Sequence, residues 1–126
     1  MAKNPYEAYK KNAIKGSSGE QLVIMLVDGA VKYTKVARLA LEAGDKERAH
    51  KELVRVQEIF VELIYPLSES KEDFAINLIS IYGFIRSKLI EANIKKDIKV
   101  IDEIMPVIED VRDMWHEIKR DCDLNK

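Results

Sequence analysis

Residues 17–45 read SSGEQLVIMLVDGAVKYTKVARLALEAGD, and this stretch decides the fold class. Ser17 stands three residues before Glu20, the spacing at which a hydroxyl and a carboxylate cap each other's backbone amides at a helix start. From there Leu22, Met25, Leu26, Gly29, Tyr33, Val36, Ala37 and Ala40 recur at intervals of three and four, the period of an inward helical seam. Gly44 offers the left-handed stop, so the helix is predicted to end near Ala43, and Asp45 caps the next one. The longest unbroken apolar run, Leu22 to Val27, is far short of the ~20 residues needed to span a bilayer.

The same punctuation repeats outward from this helix. A second helix is predicted to about Ile64, with Ala49, Leu53, Val56, Phe60 and Leu63 in register. It breaks at Tyr65-Pro66, because the residue before a proline is pushed out of helical geometry. Ser70 and Asp73 form a second capping pair and open a third helix to about Ala92, with Phe74, Leu78, Tyr82, Ile85 and Leu89 as its seam. After a turn over 93–97, a fourth helix carries Ile101, Met105, Ile108, Val111, Trp115 and Ile118. Pro106 is expected to kink this helix without ending it, since the apolar period continues on both sides. Upstream, Asn4-Pro5 predicts a short helix over about Pro5 to Ile14, carrying Tyr6 and Tyr9 on one side. The expected fold is all-α: an antiparallel up-down-up-down four-helix bundle with a short N-terminal helix. It forms one domain over residues 1–126, with 1–16 as an N-terminal capping segment and 17–122 as the bundle.

Composition narrows the function. A chain of 126 residues fits one domain, and 21 basic against 22 acidic residues leave no electrostatic footprint for nucleic acid. The single cysteine, Cys122, excludes an internal disulfide framework and a Cys-based zinc site. No apolar signal segment opens the chain, so it is expected to be cytoplasmic and not membrane-inserted.

Catalytic motifs are absent: there is no Walker-type glycine loop, no G-x-G-x-x-G, no G-x-S-x-G and no H-E-x-x-H. Glu47-x-x-His50 and Asp113-x-x-His116 were the one pairing worth testing as a di-metal site, since bundles of that kind use two Glu-x-x-His pairs. In this topology helices two and four are parallel, and the histidines sit near opposite ends, about 20 Å apart along the axis at 1.5 Å per residue. No metal, cofactor or catalytic residue is therefore expected, and the protein is not expected to be an enzyme.

What remains is surplus apolar surface. Helix one adds Ile24, Val27 and Val31 off its seam, and helix three is apolar nearly all round from Phe74 to Ile85. A bundle helix needs only about a third of its circumference inward. Either neighbouring helices bury the excess, or it forms a groove for a partner.

Several of these residues also form a recognisable pattern. Asn4-Pro5-Tyr6-x-x-Tyr9, Gln21-Leu22 with Met25-Leu26 and Asp28-Gly29-Ala30, Glu42-x-Gly44-Asp45, Asn77-Leu78-x-x-x-Tyr82, Leu89-x-Glu91-Ala92-Asn93-x-x-x-Asp97 and Arg112-Asp113-x-Trp115 follow in order. Together they resemble the flagellin-specific export chaperones, the FliS family, along almost the whole chain. The chain departs from that pattern at Gly83-Phe84, where the family usually has Asp-Tyr, and at Pro106, inside a helix that is normally unbroken. The resemblance implies an ATP-independent chaperone that binds the disordered C-terminal segment of flagellin. Such a protein prevents premature polymerisation and delivers flagellin to a component of the flagellar export apparatus.

Two function classes stay open on the residues alone: a binding module for a disordered export substrate, and a helical adaptor or self-associating bundle. For the first, the expected partner-binding residues are Ile24, Val27 and Val31 on helix one and Ile76, Ile79 and Gly83 on helix three. Tyr6 and Tyr9 join them, as a segment that docks on the bundle and is either a lid or part of the site.

Overall fold

The computed structural model describes residues 19–124. Four helices follow one another: α1 (Gly19–Glu42), α2 (Lys46–Ile64), α3 (Asp73–Lys95) and α4 (Ile98–Leu124), with a 3-10 turn, Tyr65–Leu67, after α2. The helix predicted over Pro5 to Ile14 and the Ser17 cap lie outside the described residues. No strand occurs among the described residues, and the all-α, four-helix expectation holds.

Local chemistry accounts for each boundary. α1 stops where Gly44 adopts φ +77°, and the amides of Asp45 and Gly44 return to Ala40 O (2.8 Å) and Leu41 O (3.1 Å). This double bond pattern satisfies carbonyls that a helix end would otherwise strand. Asp45 then caps α2, its carboxylate accepting from the Arg48 amide at 3.0 Å. Pro66 sits at the head of the 3-10 turn, where its missing N–H costs nothing. α3 opens two residues later than the proposed Ser70 cap implies. Glu72 is its N-cap, while Ser70 Oγ accepts from the Glu72 amide at 3.3 Å and shapes the approach. It also runs on to Lys95, past the expected end at Ala92, because Lys96 takes the left-handed position (φ 52°) that usually calls for glycine. The Lys96 ammonium folds back onto Asn93, reaching its side-chain oxygen at 2.8 Å. Pro106 lies inside α4, which continues through it.

The helices form a closed ring. α1 packs on α2 and α4, α3 packs on α2 and α4, and the backbones of the diagonal pairs stay apart. The α1–α2 pair is the most extensive, and small residues are the reason. Gly29, Ala30, Ala37 and Ala40 let the backbones close in, and a Cβ added at Gly29 would lie 3.4 Å from Ile59 Cδ1. Phe60, Tyr82 and Trp115 fill the centre with Leu53, Leu63, Ile85, Leu89, Ile101 and Ile104. Trp115 Nε1 donates to the Tyr82 hydroxyl at 2.8 Å, and the Tyr82 ring lies 5.7 Å from that of Phe60. Two polar side chains are buried with partners: Thr34 donates to Ala30 O at 2.7 Å, and Glu52 lies between Arg48 and Arg55.

The seam of α2 matches the periodicity. Those of α3 and α4 largely do, with Phe74, Met105 and Ile118 half-buried and Ala75, Val100 and Ile104 buried beside them. α1, however, is rotated by about one residue. Its buried line is Val23, Val27, Ala30, Val31, Thr34, Ala37 and Ala40, whereas Met25 is exposed and Leu22, Leu26, Gly29, Tyr33 and Val36 are only partly covered. α1 is apolar on two sides, and close approach to α2 favours the thinner side over the bulkier one. No helix among the described residues is long and apolar enough to cross a membrane.

Candidate partner-binding surface

The surface is built on α3. Its inward line, Ala75, Leu78, Tyr82, Ile85, Leu89 and Ala92, uses up the stripe that one neighbour on each side requires. The remaining apolar residues must stand on its flanks. Two cross-helix contacts orient them. Asn93 Nδ2 donates to His50 Nδ1 at 3.0 Å, so that side of α3 faces α2. Lys88 lies 3.8 Å from Glu103, so the side carrying Lys88 faces α4.

Helical spacing puts Ile76, Ile79, Gly83, Ile90 and Ile94 toward the outer edge on the α2 side. Val54, Val61 and Ile64, which lie 4, 11 and 14 residues after His50 and so near the same helix face, offer the matching edge of α2. Ile76 is 54% exposed and Ile94 78%, with Val61 and the neighbouring Tyr65 also exposed. On the α4 side stand Phe74, Ile81 and Phe84, opposite Val107, Met114 and Ile118. Ile81 and Phe84 are exposed, and the others are half-buried. Apolar side chains grouped this way on a soluble helix mark an interaction surface, whereas single ones do not. Directly beneath runs the Trp115–Tyr82–Phe60 cluster, which holds α3 rigid from below.

The sequence-predicted residues divide. Ile76, Ile79 and Gly83 lie together on this surface. A Cβ at Gly83 would meet nothing within 4 Å among the described residues, which leaves a shallow gap in the apolar row. Val27 and Val31 are corrected: they are 1% and 4% exposed and belong to the core. The rotation of α1 turns them inward, and Ile24 beside them is half-buried. Tyr6 and Tyr9 lie outside the described residues. Ile94 and Tyr65 were missed because they were read as turn and helix-breaker, although each continues an apolar row. The histidines serve neighbouring helices: His50 meets Asn93, and His116 Nε2 donates to Asp28 Oδ1 at 2.6 Å.

Set beside known proteins, residues 2–121 match the profile of the family described as "Flagellar protein FliS". The chain belongs to the FliS family. It is 32% identical over 114 residues to the flagellar secretion chaperone FliS of Bacillus subtilis, covering 90% of this chain and 85% of that protein. The flagellar secretion chaperone FliS of Salmonella typhimurium is 30% identical over 110 residues, covering 86% and 82% of the two chains. That of Escherichia coli is 28% identical over 109 residues, covering 85% and 80%. The FliS family is one of flagellar export chaperones, and an all-helical bundle with apolar flanks suits that class.

Proposed function

We propose that this chain is a cytoplasmic chaperone that binds the disordered C-terminal segment of flagellin, prevents its premature polymerisation and delivers it to the flagellar export apparatus. The supporting observation is the pair of apolar flanks on α3, set over a rigid aromatic core. A filament-forming segment carries amphipathic helices that would otherwise meet copies of themselves. Seating their apolar faces along α3 hides them, while the ordering entropy offsets much of the gain. Binding therefore stays specific and reversible without nucleotide or catalysis. Tyr6 and Tyr9 take part as a docked segment next to the site, either as a lid or as part of the binding surface.

Calorimetric titration with a flagellin C-terminal peptide tests the reading. The expected result is a saturable one-to-one complex with a clearly negative heat-capacity change. Little salt dependence should accompany it, because the chain's net charge is only −1. Indifference to the peptide would favour an adaptor or self-associating bundle. Replacing Tyr6 and Tyr9 together by Ala speeds association if they form a lid and weakens binding if they form part of the site; no change in either quantity removes both versions.

A further inference from the structure

Between α2 and α3 the apolar surface is interrupted at one level by polar side chains. Two contacts fix that level: His50 meets Asn93 at 3.0 Å, and the Phe60 ring lies 5.7 Å from that of Tyr82. The two helices therefore run antiparallel, and Gln57 and Arg86, each seven residues from the first contact, stand opposite one another. Apolar side chains flank them along the groove, with Val61, Ile64 and Ile79 toward one end and Val54, Ile90 and Ile94 toward the other. Arg86 is exposed and Gln57 half-buried, and neither makes a hydrogen bond or ion pair among the described residues. Glu58, exposed on α2 beside Gln57, forms no ion pair with Arg86 either.

We propose that Arg86, assisted by Gln57, selects the occupant of this groove: an amphipathic helix of the partner that carries one carboxylate in the middle of its apolar face. The inference rests on the reading of the α3 flanks as the chaperone's binding surface. A guanidinium covered by a purely apolar helix loses its water and gains no acceptor, so such an occupant is penalised. A carboxylate accepts two parallel N–H bonds from the guanidinium, and the Gln57 amide has a further donor to offer. A lysine or arginine at the same place meets a like charge and is rejected. Ile79 and Ile94 lie about 22 Å apart along α3 at 1.5 Å per residue, so the occupant is a helix of about four turns with its acid near the middle. A single exposed charge pair of this kind adds little to the salt dependence of binding.

Fluorescence anisotropy with three labelled amphipathic helical peptides of about four turns tests this. They are identical except for Glu, Gln or Lys at the centre of the apolar face. The full-length chain should bind the Glu peptide about tenfold more tightly than the Gln peptide, and the Lys peptide more weakly still. Arg86→Gln should bring the Glu and Gln affinities together at unchanged helicity. Arg86→Glu should reverse the order, so that the Lys peptide binds best. Equal affinities in the wild type, no binding of any of the three, or a Glu preference that survives Arg86→Gln overturns the proposal. The flagellin C-terminal peptide forms a separate arm. If it fails to bind a wild type that still prefers the Glu peptide, the flagellin reading falls and the selection by Arg86 stands. If it binds Arg86→Gln as tightly as the wild type, the proposal is overturned and the flagellin reading stands.

Discussion

Two edges of the bundle are built on opposite plans. Where α1 meets α4, the rim is closed by charge: Arg38 holds Asp102 through two bonds of 2.6 and 3.1 Å and also pairs with Glu42, and His116 bonds Asp28. Along α3 the rim is open, with Ile76, Ile81, Phe84 and Ile94 exposed beside half-buried neighbours. Exposed ion pairs contribute little stability, so the closed edge is no tighter in energy than the open one. What differs is what each edge accepts. A rim of satisfied charges repels an apolar segment, because docking there would strip water from groups already paired. A row of isoleucines and phenylalanines beside a glycine gap has nothing to give up.

The hardest way to break this contrast is to put a charge beneath it. Val27→Lys buries an unpaired ammonium under α1, and a loss of at least about 4 kcal/mol is expected in urea unfolding followed by circular dichroism. A folded variant of wild-type stability would mean that α1 can rotate to expose this side. Tyr82→Phe comes next. It removes the buried hydroxyl that accepts from the Trp115 indole N–H, and about 1–3 kcal/mol should be lost with the fold intact. Ile76→Lys then sharpens the comparison, since the same charge on the open edge should leave stability within about 0.5 kcal/mol of wild type. Its effect should instead appear as a roughly tenfold or greater fall in affinity for the flagellin peptide. An unfolded Ile76→Lys would place that side chain in the core.

The smallest effect is expected at the closed edge. The Arg38 guanidinium holds the Asp102 carboxyl below the usual carboxylate range, mainly through its hydrogen bonds. A lowered folded-state value means that its contribution is present above the unfolded carboxylate pKa of about 4 and is lost as pH falls through the lower, folded value. Asp102→Asn should therefore lower the melting temperature slightly at pH 7 and by less near pH 2. A variant that melts lower by the same amount at both pH values would show that Asp102 acts through packing instead.

How much of this was legible in the sequence depended on how many faces of a helix were apolar. α2 has one apolar side, and Ala49, Leu53, Val56, Phe60 and Leu63 were read correctly as its seam. Gly44, Asp45 and Pro66 named their own boundaries, because each is tied to one backbone geometry. α1 has two apolar sides, and periodicity cannot choose between them. The bulkier side looked like the core, while the tight α1–α2 approach selected valine, alanine and threonine. Thr34 would not be chosen for a core by hydropathy; its hydroxyl satisfies itself on Ala30 O. The same ambiguity sent Val27 and Val31 to the surface by mistake. On α3 it worked the other way, since the stripe needed for two neighbours was plainly exceeded and the excess had to be outside. Lys96 hid the end of that helix, because a lysine in a left-handed position carries no sequence signal.

The ring of helices also sets a timetable for folding. Three of its four contacts join helices that follow one another along the chain, and only α1–α4 joins distant segments. Chains dominated by such near-neighbour pairings fold in microseconds to milliseconds, because little loop must be closed before contacts form. On a ribosome, α1 and α2 can pair through their alanine-rich faces before α4 has been synthesised, at roughly 5–20 residues per second. The α3 flanks meet α4 only as the last helix arrives, and the charged α1–α4 edge snaps shut after it. A flagellar export chaperone built this way is thereby folded almost as soon as its own synthesis ends.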